Sequence, residues 1–240
     1  VYKCYKETLL TIIDNLPHSD IADIINLLKP SERESFVSLI KDKFQAEILS
    51  DLEETVREEV IHYLGYNFVA NLLLKLDTDD AVHVIEDLED DEKNIILQKV
   101  PINEREEIKS SLNYPDDSAG RLMNLDFVSL PPHWNVGQAI DFLRSNVELP
   151  NEFYEIYLVD PSNKPQGALL LSSLLRSDRD INLQDIKSNH FVTINSDLDK
   201  EIVAIEFERF DLVSAPVVDE NGRLIAVSYT HLTLPTTYHV

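Results

Sequence analysis

The chain has 240 residues, with 44 acidic side chains against 21 basic ones and a formal net charge of −23. That surplus argues against nucleic acid and anionic membrane surfaces as partners, and describes a surface that attracts cations or needs them to offset self-repulsion. The single cysteine, Cys4, excludes an internal disulfide and fits a reducing compartment. No secretory signal is visible, and no apolar run approaches the ~18 residues of a membrane span.

From about Tyr5 to Leu112 the apolar residues fall on a twelve-residue grid: Leu16, Leu28, Ile40, Leu52, Leu64, Leu76, Leu88, Val100 and Leu112. Positions three before the grid are Ile13, Ile25, Val37, Leu49, Ile61, Leu73, Ile85 and Leu97, and only Lys109 breaks the series. Positions four before it, from Ile12 to Ile108, are apolar throughout. Spacings of three and four put these residues on one helix face. A repeat of twelve fits a helix of roughly eight residues plus a short turn, so that two repeats make one helical hairpin. Such units cannot bury an apolar face alone and stack on their neighbours, which predicts a small α-solenoid. Breakers at Pro17-His18-Ser19, Lys29-Pro30-Ser31, Asp77-Thr78-Asp79 and Pro101-Ile102-Asn103 mark turns. Ser31 followed by Glu34 has the form of a capping box.

The segment Asn113 to Gly120 breaks the grid, and the period then changes. Strands are predicted at Asp126 to Leu130, Tyr154 to Val159 and Gln166 to Leu171, with a helix capped by Asn135 running through Val147 and a short one at Ser172 to Arg176. The same order follows again: a strand at Phe191 to Ile194, a helix at Leu198 to Phe210, and a hairpin of Val213 to Val218 with Arg223 to Val227 around an Asn-Gly turn. Setting Leu158-Val159-Asp160 on Val217-Val218-Asp219 brings Gly167 nearly into phase with Gly222. The second half is therefore a tandem β-α-β-β-α repeat. Its second copy ends before the last helix, and Ser228 to Val240 departs from the pattern as a foreign or shifted-frame tail.

The tandem resembles a pair of CBS domains, the regulatory modules named after cystathionine β-synthase. The helical grid followed by Tyr114-Pro-Asp-Asp-Ser-Ala-Gly-Arg-Leu-Met123 resembles the junction of the helical N domain and CBS pair in MgtE-type magnesium transporters. Asp20-Ile-Ala-Asp-Ile-Ile25, Asp79-Asp80-Ala81, Tyr154 to Asp160 and Asp211 to Asp219 extend the likeness. The resemblance implies a mainly α superhelical N domain at 1–113, a linker at 114–123, CBS domains at 124–187 and 188–227 (the second truncated), and a non-native tail at 228–240.

The resemblance also implies a cytosolic magnesium sensor rather than an enzyme. Mg2+ would bridge carboxylates of the N domain and the CBS pair and favour a closed state of a membrane channel domain. The intact parent would place this part at the cytoplasmic side of the inner membrane, as a homodimer through its CBS domains. Mg2+ takes oxygen ligands and keeps several waters, so one or two carboxylates per ion suffice. The positions matching the family's ligands are Glu47, Asp79, Asp199, Glu201 and Asp211. A further position, usually a carboxylate, holds His83, and a neutral imidazole is a poor Mg2+ ligand.

CBS pairs often hold adenine nucleotides through a Ser/Thr followed three residues later by Asp. Here Leu170 takes the hydroxyl position and Ser173 the acid position, so nucleotide binding is not expected. No catalytic motif is present. His62 and His83 match no metal-ligand spacing and are expected to be ordinary surface residues, and Trp134 is expected to pack at a helix start. The alternatives are a nucleotide-responsive CBS regulator and a helical protein-interaction scaffold.

Overall fold

A computed structural model of the chain describes residues 10–150, 153–188 and 191–229. Cys4 and residues 230–240 of the expected tail lie outside them. The chain divides into two compact units, Val1–Lys109 and Ser110–Val240. Among the described residues no helix is long and apolar enough to cross a membrane.

The first unit is built of short helices: α1 His18–Leu27, α2 Pro30–Ile40, α3 Glu47–Ser50, α4 Glu54–Leu64, α5 Tyr66–Leu73, α6 Thr78–Ile85 and α7 Asp90–Leu97, with α8 Ile102–Leu112 running out of it. All eight apolar residues three before the grid, from Ile13 to Leu97, are buried, while Lys109 is exposed. Helices pack on near neighbours and on those one or two further along: α1 on α2 and α3, α2 on α4, α3 on α6, and α5 on α7. That is the stacking a short amphipathic repeat needs in order to bury its face.

The second unit holds β1 Val128–Leu130, α9 Val136–Ser145, β2 Glu155–Val159, β3 Pro165–Leu170, α10 Leu171–Arg176, α11 Leu183–Ile186, β4 Ile194–Asn195, α12 Lys200–Phe210, β5 Ser214–Val218 and β6 Leu224–Tyr229. Its two sheets have the same plan. β1 runs parallel to β2 and β2 antiparallel to β3, and β4, β5 and β6 pair in the same way. The register slips at Leu158/Val159 in one sheet and at Val217/Val218 in the other, 59 positions apart. The turns match as well. Asp160 accepts from the backbone N–H groups of Ser162 and Lys164, and Asp219 from those of Asn221 and Arg223. The left-handed turn position is Asn163 in the first copy and Gly222 in the second, so Gly222 answers to Asn163 rather than to Gly167. Asn tolerates this conformation better than other residues with a side chain. Each repeat has its own core, and Tyr157, Ala168, Leu224 and Val227 form a third cluster shared by both.

Several boundaries shift for local reasons. α2 begins at Pro30, so Ser31 lies inside the helix. Lys29 N–H donates to Glu32 at 3.4 Å, and no Ser31–Glu34 box forms, because proline suits the first helical position and fixes it there. Asn135 caps α9 as expected, with Gln138 returning the bond. Trp134 packs edge-on against Phe142, two turns into α9. β1 starts at Val128 because Asn124 forms an isolated bridge with Val227 and its side chain accepts from Asp126 N–H. Ser228 and Tyr229, read from the sequence as tail, complete β6 opposite Ala215 and Ser214. The segment 114–123, read as a linker, places Ala119 and Met123 in the core of the second repeat. There the Ala119 and Gly120 N–H groups donate to Leu198 and Ser196.

Candidate functional site

Asp79 stands in the first turn of α6, where an acid opposes the helix dipole and ordinarily stays in water. Here it is only 5% exposed, and its Oδ1 has no hydrogen-bond partner among the described residues. Burial first, and then the charge of Asp80, push its carboxyl up to about 7; backbone N–H groups of Asp79 and Asp80 oppose the rise, and Asp77 adds to it. Glu47 is exposed at the start of α3, which packs on α6. The fold thus places these two predicted ligands on packed helices, one wet and one dry.

His83, one turn after Asp79, is not an ordinary surface histidine. The nearly buried guanidinium of Arg57 lies against its Nε2 at 2.7 Å, and Glu86 lies 2.9 Å from its Nδ1. A guanidinium only donates, so Nε2 accepts and the ring proton sits on Nδ1, facing Glu86. Arg57 also pairs with Asp87 at 2.8 Å. Two repeats earlier the same offset joins Arg33 to Glu59. Residues 59 and 83 lie 24 apart, so the imidazole occupies the place where the earlier hairpin carries a carboxylate. Replacing His83 with Glu is expected to raise stability at pH 8 by about 1 kcal/mol through a charged bond to Arg57. Urea unfolding checks this, and a lower midpoint would contradict it. His62 is likewise engaged: its Nε2 and the Tyr66 hydroxyl both meet Glu92, whose carboxyl is held below its ordinary value by those bonds, Tyr66 first.

In the second unit the three predicted ligands separate. Asp199 caps α12, accepting from Glu201 N–H at 2.8 Å, and Glu201 is exposed in the same first turn. Asp211 is the opposite cap of α12, in the left-handed conformation. Twelve positions of helix span about 18 Å, so Asp211 and Asp199 cannot share an ion. Among the described residues no three His, Cys, Asp or Glu side chains gather as a preformed metal site.

Asp211 instead borders a cleft of 660 Å3 between the two repeats, together with Glu155, Phe153, Tyr154 and Phe210. Ser214, the residue equivalent to Glu155 across the pseudo-repeat, donates to the Glu155 carboxylate at 2.7 Å, and the Tyr157 hydroxyl lies 2.9 Å from Ser214 Oγ. Burial pushes the Tyr157 hydroxyl up, which keeps its proton available for Ser214. Leu170 faces the same cleft, in the place where the nucleotide-binding pattern has a hydroxyl. Glu155, Arg33 and Arg57 were not among the residues singled out from the sequence. The arginines had a signal, since each lies five positions past the grid.

Residues 16–117 match the family described as the MgtE intracellular N domain. The magnesium transporter MgtE of Bacillus subtilis (strain 168) is 26% identical over 217 residues, 90% of this chain and 48% of that protein. The chain thus spans about half the length of the curated relatives it matches. Among solved structures, the soluble part of a magnesium transporter superposes with a TM-score of 0.81 at 22% identity, covering 97% of this chain and 91% of that one. The cytosolic domain of the Mg2+ channel MgtE in complex with ATP gives 0.73 at 25% identity, covering 95% and 88%. A cystathionine β-synthase pair domain from Shewanella oneidensis MR-1 gives 0.51 at 18% identity, covering 68% and 94%. The helical repeat and these matches identify residues 16–117 as an MgtE intracellular N domain, and the paired three-stranded sheets that follow have the fold of a CBS pair.

Proposed function

We propose that this chain is the Mg2+-sensing cytosolic part of a magnesium transporter, with Mg2+ bridging carboxylates of the N domain and the CBS pair to favour a closed pore. The observation that carries the reading is the match along 90% of the chain to a protein named magnesium transporter. The charge of −23 supports it, because bridging divalent ions relieve a repulsion that grows as the two acidic units approach. Exposed Glu47, Glu201 and Asp211 suit hydrated Mg2+, which binds through one or two carboxylates and keeps its waters. Asp79 is a ligand only after its proton and its dry surroundings give way. Ile202 and Ile205, exposed on α12, supply an apolar face for a homodimer through the CBS domains.

The test is the radius of gyration of the chain during a Mg2+ titration from micromolar to tens of millimolar, with K+ holding ionic strength. The radius is expected to fall with Mg2+ and not with K+, and a flat curve contradicts the sensor reading. A second reading, a nucleotide-responsive regulator, is favoured by the matching structure that holds ATP and by the cleft between the repeats. Leu170 and Ser173 weigh against it, as they replace the hydroxyl and the acid that would hold a ribose. Compaction by ATP without Mg2+ would favour this second reading.

A further inference from the structure

Leu64 ends α4 and Tyr66 begins α5, so a single residue, Gly65, joins the two helices. Its φ of 82° suits glycine, and a Cβ there would meet nothing within 4 Å. With no side chain and open space around it, the joint depends on its neighbours to fix the angle between α4 and α5. Lys41 is one of them. It donates to the Leu64 carbonyl at 2.6 Å and lies 5.0 Å from the centre of the Phe68 ring. The other is a cluster that straddles the joint: His62 of α4 and Tyr66 of α5 both bond to Glu92, in the first turn of α7.

Both ring nitrogens of His62 face acceptors. Nδ1 lies 2.8 Å from the Glu58 carbonyl and Nε2 2.7 Å from the Glu92 carboxylate. The bonds from Tyr66 and His62 hold the Glu92 carboxyl below its ordinary value, so neither oxygen has a proton to donate. A neutral imidazole has one N–H and would set a lone pair against one of these oxygens, so the ring in this arrangement carries both protons. The bond to Glu92 raises the ring above its ordinary 6.5, and burial opposes the rise. The ionisable groups facing the ring are Glu58 of its own helix, Tyr66 of α5, which stands edge-on at 6.1 Å, and Glu92 of α7. Lys93, beside Glu92, pairs with Asp90 at 3.9 Å instead.

We propose that His62, Glu92 and Tyr66 form a proton-operated clasp, which fixes the Gly65 joint against α7 while the imidazole is charged and releases it when the ring loses a proton. A base whose proton is held more tightly in the fold adds stability below its unfolded value of 6.5, and that stability is lost as pH rises through the folded one. None of the carboxylates proposed to bind Mg2+ takes part, so the clasp is tested without divalent ions. The imidazole resonances of the full chain are followed by NMR against pH, with His62→Gln giving the assignment. Amide hydrogen exchange in α5 and α7 is measured at pH 6 and pH 8.5. His62 is expected to titrate above 6.5, and to move back toward that value in Glu92→Gln. Exchange is expected to be slower in the parent than in His62→Gln at pH 6, and equal in the two at pH 8.5. The His62 and Glu92 side chains are 44% and 19% exposed, so both variants leave the buried helix faces intact. Titration of His62 at or below 6.5, or titration unchanged in Glu92→Gln, overturns the proposal. A raised titration with no exchange difference at pH 6 also overturns it, since the pair would then be a surface ion pair that holds no joint.

Discussion

Replacing Arg33 with alanine is expected to lower the unfolding free energy of the helical domain by about 3 kcal/mol. The Arg33 side chain is 8% exposed and serves three acceptors. Its Nε donates to the Ile25 carbonyl at 3.1 Å and one Nη to the Leu28 carbonyl at 2.9 Å, while the other meets Glu59. Ile25 and Leu28 are at the end of α1, where carbonyls lack their full set of helical partners; the Ile25 carbonyl also accepts from the cap N–H of Leu28 at 3.3 Å. One guanidinium therefore closes α1 and ties it, through Glu59, to α4. Alanine takes a donor from both carbonyls and leaves that of Ile25 with the long bond from Leu28 N–H. Arg33→Met fills part of the vacated space without supplying donors, and is expected to recover less than half of the loss. Urea unfolding followed by far-ultraviolet circular dichroism gives the comparison. A loss below about 1 kcal/mol for Arg33→Ala would mean that the stacked apolar faces alone hold the hairpin.

The arginine is part of the repeat. Arg57 lies 24 positions on, and Arg105 a further 48, where it donates to the Val100 carbonyl at 2.8 Å as Arg33 does to that of Leu28. The intervening position holds Ala81. The true structural unit is thus the 24-residue hairpin, and the twelve-residue grid is its apolar half-period. The grid was legible because burial selects apolar residues at each turn regardless of which helix of the pair they occupy. The arginines had a sequence signal in their place five past the grid, but their role was not legible, because it depends on a carbonyl end that only the folded hairpin brings near. The short helix at Leu183–Ile186 escaped for a different reason: four residues carry no helical period to detect. In the second unit, the sequence equivalence of the two hairpins held through the paired aspartates and failed at the glycine. A left-handed position accepts Asn as well as Gly, so the 59-residue phase was right but the pairing of Gly167 with Gly222 was not an equivalence. The carboxylate ligands were the least legible element. An acid in a first helical turn has the same sequence signature whether it is solvated, as Glu47 is, or buried, as Asp79 is.

Asp79→Asn is expected to remove a pH dependence worth about 3 kcal/mol between pH 5 and pH 8. In the folded chain the carboxyl is raised from 3.8 to about 7, chiefly by burial, so the native state holds a proton that the unfolded state has released. For an acid shifted upward, the stabilising contribution is complete below pH 4 and is lost as pH rises through 7. Each unit crossed in that window removes about 1.4 kcal/mol, and above pH 7 the loss is complete. Asparagine carries no charge to bury and keeps an oxygen for the backbone N–H groups. The variant is therefore expected to equal or exceed the parent at pH 8 and to lose that advantage at pH 5, measured by urea midpoints at both values. A parent-minus-variant difference that does not change with pH would show that Asp79 stays ionised in the fold. The same variant then separates two roles for this carboxyl. If Asp79 takes up Mg2+, the ion replaces the proton, and the compaction midpoint in the parent shifts to higher Mg2+ as pH falls below 7, whereas the Asp79→Asn chain needs more Mg2+ at every pH. If Asp79 is only a buried acid, both chains compact at the same Mg2+ concentration and differ in stability alone.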